Sequence, residues 1–320
     1  IPDSYSLPLP PGLPPGDYSL TLALYDVETL TAIGEASLTT PIATATPIGD
    51  RTSRFSLTPE LGLASVEFPL QIVQGDAPEI SADWLVFSAP QQAYRARWFL
   101  TAATGERRTR TLDLAPGSSP TSWPAGSFIL GRVHLPADPA LAPGLYSLSI
   151  ALVDEQGQQV GSEAAVGAIE VLGRARAFTV PQLGTEVDAT FGGQFKLWGY
   201  NLERGDSDLR LTLVWGALQP PDTDYKFFVH LFNPQDEFIA AQVDGVPHNF
   251  TYPTTRWAAG EVVADTVTLP LAAVPAGEYR LAIGWYDPAS PTLERLPAFD
   301  AQGRPLDANR VILPTVVKIP

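Results

Sequence analysis

One short motif occurs three times in this chain and constrains its fold more than any other feature. Pro15-Gly16-Asp17-Tyr18-Ser19-Leu20 leads into Ala23-Leu24-Tyr25-Asp26. Pro143-Gly144-Leu145-Tyr146-Ser147-Leu148 leads into Ala151-Leu152-Val153-Asp154, and Ala276-Gly277-Glu278-Tyr279-Arg280-Leu281 into Gly284-Trp285-Tyr286-Asp287. The tyrosines stand 128 and 133 residues apart. Two copies are preceded by a second marker, Trp123-Pro124-Ala125-Gly126 and Trp257-Ala258-Ala259-Gly260. Leu-Pro pairs fall before all three tyrosines, at Leu7-Pro8, Leu135-Pro136 and Leu269-Pro270. A third marker, Arg54-Phe55-Ser56-Leu57-Thr58-Pro59 against Arg176-Ala177-Phe178-Thr179-Val180-Pro181, opens the longer units. The period is too long for a solenoid repeat, so the chain reads as tandem domains. The expected division is 1–48, 49–173 and 174–320, with boundaries in the Thr/Pro/Ala-rich stretch 39–48 and around Gly173. The first of these is only the tail of a unit.

The motif sits on strands. Tyr279, Leu281, Ile283 and Trp285 alternate with Arg280, Ala282, Gly284 and Tyr286, which is the two-residue period of a strand. The same alternation runs through 18–24, 146–152 and 209–215. The 32 prolines, about twice the ordinary share, act against helix interiors, and no Pro- and Gly-free stretch of helical period is long enough to matter. Asp154-Glu155-Gln156-Gly157, Asn233-Pro234-Gln235-Asp236 and Asp300-Ala301-Gln302-Gly303 read as hairpin turns. These features predict an all-β protein of tandem immunoglobulin-like, Greek-key antiparallel β-sandwiches. Tyr18, Tyr146 and Tyr279 are expected to form tyrosine corners. The two or three strands of 1–48 cannot bury a sheet face alone, so the unit is completed by missing sequence, by the following unit, or by a strand from another chain.

Composition narrows the function. The absence of Cys excludes disulfide scaffolds, thiol catalysis and Cys-ligated metals. A net charge of -15, with no basic cluster, argues against nucleic-acid and anionic-membrane partners. No apolar run reaches the roughly 18 residues of a membrane span, and no signal-peptide pattern opens the chain. The chain starts at Ile1 and contains no Met, which reads as a processed protein or a fragment. Absent Cys and Met, four Asn and abundant loop Pro suit a warm habitat.

From Arg176 onward, a family resemblance adds to this reading. The runs Phe195-Lys-Leu-Trp-Gly-Tyr200, Leu211-Thr-Leu-Val-Trp215, Tyr225-Lys-Phe-Phe-Val-His-Leu231, Tyr252-Pro-Thr-Thr-Arg-Trp257 and Gly277-Glu-Tyr-Arg-Leu281 follow in order. This order resembles the extracytoplasmic C-terminal β-domains of large bacterial membrane proteins, mostly of the Chloroflexi, many of them mannosyltransferase-like (GT-C) glycosyltransferases. The resemblance covers about 174–320. The unit 49–173 lacks the Phe-Val-His-Leu and Tyr-Pro-Thr-Thr-Arg-Trp runs. It implies a non-catalytic accessory region, placed outside the cytoplasm and tethered by an upstream membrane part that carries the catalysis.

The residues themselves offer little for catalysis. Of the three histidines, His134 and His248 read as surface residues, and His230 as a half-buried histidine or a ligand contact. No Gly-x-Ser-x-Gly, phosphate loop or zinc spacing occurs. Asp206 and Asp208, like Asp222 and Asp224, read as turn acids, and no metal or cofactor is expected. The loop 248–257 offers Phe250, Tyr252, Arg256 and Trp257 as a carbohydrate surface, with His230 as a further candidate. The opposing reading has Tyr252 and Trp257 plugging the sandwich end, as the matching Trp123 suggests. Asn249-Phe250-Thr251 is a glycosylation sequon. The expected function is accessory to a membrane glycosyltransferase-like protein. A structural cell-surface, adhesion or fibre protein built by strand sharing is the second reading, and a carbohydrate-binding module the third. Expected partners are glycans or further copies of the chain.

Overall fold

The computed structural model describes residues 7–25, 32–42 and 45–320. Asp26, which ends the first motif copy, Ile1, and residues 43–44 of the 39–48 stretch lie outside the described residues. The chain divides into two compact units. One comprises Ile1–Val73, Ala77–Pro136 and Ala142–Leu172; the other comprises Gln74–Asp76, Ala137–Leu141 and Gly173–Pro320.

The first unit opens with a hairpin, β1 (Gly16–Tyr25) and β2 (Ala32–Ile42), paired antiparallel. The strands that follow are β3 (Thr46–Pro47), β4 (Phe55–Ser56), β5 (Leu61–Glu67), β6 (Gln71–Val73), β7 (Glu79–Val86), β8 (Arg95–Ala102), β9 (Arg107–Asp113), β10 (Ser127–His134), β11 (Gly144–Val153) and β12 (Gln159–Leu172). They form two sheets, ordered β3-β10-β7-β5-β4 and β6-β12-β11-β8-β9. Pairing is antiparallel except between β6 and β12. The chain crosses between sheets after β5, β6, β7, β9 and β10, which gives a Greek-key, immunoglobulin-like sandwich. Inward positions of both sheets, among them Leu63, Ile80, Trp84, Trp98, Ile129, Leu148 and Ile150, form its core.

The second unit repeats the plan with β13 (Thr185–Phe191), β14 (Phe195–Arg204), β15 (Asp208–Ala217), β16 (Lys226–Phe232), β17 (Ile239–Gly245), β18 (Val262–Pro270), β19 (Gly277–Tyr286), β20 (Ala298–Phe299), β21 (Val311–Ile312) and β22 (Val317–Ile319). Its sheets run β18-β15-β14-β13-β20 and β17-β16-β19-β21, with β22 also on β19. Among the described residues, helical geometry is confined to 3-10 turns at Pro120–Ser122, Thr254–Arg256 and Asp307–Asn309. No helix among the described residues is long and apolar enough to cross a membrane.

The sequence repeats are structural repeats. Tyr18, Tyr146 and Tyr279 each donate a hydroxyl hydrogen bond to the carbonyl four residues earlier: Pro14 at 2.7 Å, Ala142 at 2.8 Å and Pro275 at 2.9 Å. The bond ties the first residues of a strand to the loop that enters it. Trp123 and Trp257 each end a 3-10 turn and point into their cores. The glycine three residues later has φ of 76° and 77°, and its N–H reaches the end of the neighbouring strand, from Gly126 to Val86 and from Gly260 to Ala217. That left-handed backbone is why both markers end in Gly.

Replacing Tyr146 with Phe leaves the ring in place and removes one hydrogen bond, which is worth about 1 kcal/mol. Hydrogen exchange of β11 amides is expected to accelerate correspondingly, and Tyr279→Phe to act alike on β19. Unchanged exchange in both variants would show that the bond contributes nothing.

Candidate functional site

The loop expected to carry a ligand surface folds instead around a buried ion pair. The 3-10 turn at Thr254–Arg256 is seated by the Thr254 hydroxyl, which donates to the Thr223 carbonyl and accepts from the Tyr225 N–H. Asp224 accepts from the Thr255 N–H and hydroxyl, and Asp222 from Tyr225 and Gln194, so these acids hold turns. Beyond the turn, the carboxylate of Glu261 accepts from the Ala258 N–H and from the Tyr252 hydroxyl at 2.6 Å. The guanidinium of Arg176 pairs with Glu261 and donates to Tyr252 and to the Arg256 carbonyl. Both charged side chains are nearly water-free, with 6% and 3% of their surface exposed. Burial, and then the Glu261 carboxylate, push the Tyr252 hydroxyl pKa far up.

This arrangement corrects part of the sequence expectation. Trp257 is fully buried, in edge contact with Phe195 and Trp285, and Tyr252 is 8% exposed. Neither can offer a face to a sugar. Arg256 pairs with Asp76 at 3.2 Å. Of that loop set, Phe250 alone is well exposed. It stands with His248 and Asn249 in a run of left-handed residues, φ 55°, 52° and 66°. Asp265 anchors this turn by accepting the His248 N–H at 2.8 Å, and burial raises its own carboxyl pKa. The sequon residue Asn249 is exposed on the turn.

The other candidate, His230, lies elsewhere and in different company. In β16, Phe227, Val229 and Leu231 face the core, while Phe228, His230 and Phe232 face outward. The outward residues are nevertheless buried, His230 to 9% exposure. The cause is a departure from the repeat. In the first unit, five residues (154–158) join β11 to β12. In the second, 24 residues (287–310) separate β19 from β21. Arg295 from this segment lies over the Phe228 ring at 4.5 Å, and Arg310 over Phe232 at 4.9 Å. Gly284 makes the approach possible: a Cβ there would stand 2.5 Å from Phe228 and 3.1 Å from the Asn309 carbonyl.

Between segment and sheet is a cleft of about 320 Å³, lined by Phe228, His230, Asp244, Tyr286, Thr292, Leu293 and Arg295. Burial lowers the His230 pKa, the Asp244 charge opposes the shift, and Arg295 and Arg310 add to it. The imidazole is therefore neutral near pH 7, with one nitrogen free to accept and one to donate. Burial and the Asp244 carboxylate raise the Tyr286 hydroxyl. Burial and the charge of Arg310 lower Arg295. The cleft thus sets a carboxylate, a phenol, a neutral imidazole, a hydroxyl and a guanidinium around an apolar patch of Leu293 and Phe228. Among the described residues, no group of three or more His, Asp or Glu is placed to hold a metal ion.

The sequence reading singled out His230 as a possible ligand contact, met Asp244 and Tyr286 only as parts of longer runs, and gave no role to Thr292, Leu293 or Arg295. Two signals pointed to them. Residues 227–232 are apolar or aromatic on both faces except at His230, which marks a doubly covered strand. Gly284 stands where the other motif copies have Ala23 and Ala151. No protein-family model matches the chain, and no curated protein matches it.

Two measurements check these geometries. Arg176→Met strands a buried carboxylate and is expected to destabilise the second unit by about 3–5 kcal/mol, read by urea unfolding through tryptophan emission. Arg176→Met with Glu261→Leu is expected to recover most of that loss. For His230, an NMR titration is expected to give a pKa below the ordinary value of about 6.5. The folded chain then holds fewer protons than the unfolded chain just below that pH. The group's stabilising contribution is therefore complete above about 6.5 and lost as pH falls through the folded value. A value at or above 6.5 would contradict the buried placement.

Proposed function

We propose that this chain is a non-catalytic, extracytoplasmic tandem β-sandwich region whose second unit holds a small glycan in the His230 cleft. We propose further that it is accessory to a membrane glycosyltransferase-like protein. The observation that carries the reading is the 24-residue segment at 287–310, the place where one sandwich departs from the plan of the other. Within it β20 (Ala298–Phe299) crosses to pair with β13, and the residues before β20 form the roof of the cleft. The cleft volume is at the low end of small-ligand sites, about 300–1,000 Å³.

Its lining suits a sugar. Arg295, Thr292 and Tyr286 supply donors, Asp244 and the free His230 nitrogen supply acceptors, and Leu293 supplies an apolar flank for C–H groups. Asp244 is the one carboxylate in that lining, whereas glycoside hydrolysis ordinarily uses two, which supports holding over cleaving. The resemblance to glycosyltransferase-associated domains supports the accessory role, and its Phe-Val-His-Leu run (228–231) contributes Phe228 and His230 to the cleft.

A glycan array on the 320-residue chain, followed by calorimetry on the hits, tests this. Asp244→Asn and Arg295→Ala are each expected to weaken binding by about 10- to 100-fold, the worth of a hydrogen bond to a charged group, with tryptophan emission unchanged. An array without hits, or affinity indifferent to both variants, would sink the reading.

A further inference from the structure

The hairpin of β1 and β2 carries a sheet face that nothing among the described residues covers. Tyr18, Leu20, Leu22 and Leu24 alternate onto one side of β1, and Ala36 and Leu38 pair with Leu22 and Leu20 on that side. Leu22 is 61% exposed and Leu38 63%. The opposite side carries Ser19, Thr21, Ser37 and Thr39, with Thr21 and Ser37 hydrogen-bonded at 2.9 Å. The hairpin is thus two-faced, as a strand pair packed on a core must be.

The repeat identifies what covers such a face. Aligning the tyrosine corners places Leu20, Leu22 and Leu24 at the positions of Leu148, Ile150 and Leu152, and of Leu281, Ile283 and Trp285. All six of those counterparts are 0% exposed. In the first unit the cover is the sheet β3-β10-β7-β5-β4, with its inward Leu63, Trp84 and Ile129; in the second it is β18-β15-β14-β13-β20. Chain order then indicates where the missing cover lies. In both complete copies, every strand of the covering sheet but β20 precedes the tyrosine strand. The Leu-Pro pair ends that run: Pro136 and Pro270 fall ten and nine residues before their tyrosines, and Pro8 falls ten before Tyr18.

We propose that the apolar face of β1 and β2 is the docking surface for an antiparallel β-sheet carried by polypeptide upstream of these 320 residues, and that the two together form a third sandwich of the same plan. A second copy of the chain is a poorer occupant. Both of its own sandwiches already have their facing sheets paired, which leaves only another two-stranded hairpin to offer, and such pairs are marginal by themselves.

Hydrogen exchange tests the proposal on two polypeptides: the 320-residue chain, and the same chain extended upstream along its own reading frame by one repeat, 128 residues. In the shorter chain, amides of residues 19–24 are expected to exchange nearly unprotected, and the dye ANS to bind. Leu22→Lys is expected to remove the dye binding and leave protection in β11 and β19 unchanged. In the longer chain, protection over 19–24 is expected to rise by about 100-fold or more as the face joins a cooperative core. Three results would overturn the idea. One is no gain in the longer chain. Another is slow exchange over 19–24 in the monomeric shorter chain. The third is protection that rises with concentration alongside a dimer seen by light scattering, which would make the occupant a second copy.

Discussion

Everything in this protein depends on the requirement that a sheet with one apolar face must press it against another sheet. The tyrosine strand is where that requirement is met each time. Its alternate residues reach zero exposure in both complete sandwiches, and its first tyrosine is tied to the preceding loop carbonyl. The tie settles which way the strand enters, and so which of its two faces turns inward. A strand entering rotated by one residue would put Ser149 where Leu148 belongs and turn Leu148, Ile150 and Leu152 away from the facing sheet.

Against that shared plan, the two sandwiches solve local problems differently. At the position after the tryptophan-glycine turn, the first unit uses Ser127, whose hydroxyl donates to the Pro124 carbonyl. The second uses Glu261, which draws in Arg176 and Tyr252. On the outer face of the strand beneath the cleft, the register that pairs Ile150 with Trp98 and Ile283 with Val229 equates Phe99 with His230. Phe99 is covered by Arg107 from its own sheet, whereas the ring beside His230 is covered by Arg295 from a segment the first unit lacks.

The fold was legible because its signals are local and repeated. Period-two alternation, proline punctuation and three tyrosine motifs each speak for a strand in its place, and all agree. The duplicated Trp123 and Trp257 were legible as core for the same reason. The cleft was not, since it depends on where a long, polar, turn-rich segment comes to rest. Thr292, Leu293 and Arg295 follow no period, and Asp244 is one acid among 35 until it is seen beside Tyr286. The Arg176–Glu261 pair escaped notice because its partners are 85 residues apart and each is ordinary alone. Of the aromatic residues in that loop Phe250 is exposed, while its neighbours Tyr252 and Trp257 turn inward through the geometry of one 3-10 turn.

The double covering of β16 makes the second unit locally three layers deep: a sheet, a second sheet, and above it the parts of 287–310 on either side of β20, which itself pairs with β13 in the facing sheet. A strand without a wet side belongs to the part of a domain that opens last, whereas a long turn-rich connection belongs to the part that opens first. The cleft lies at the junction of those two regimes. Its floor, Phe228 and His230, belongs to the buried strand β16, and its roof, Thr292 to Arg295, is held at one end by the bridge from Arg295 to Tyr286 of β19.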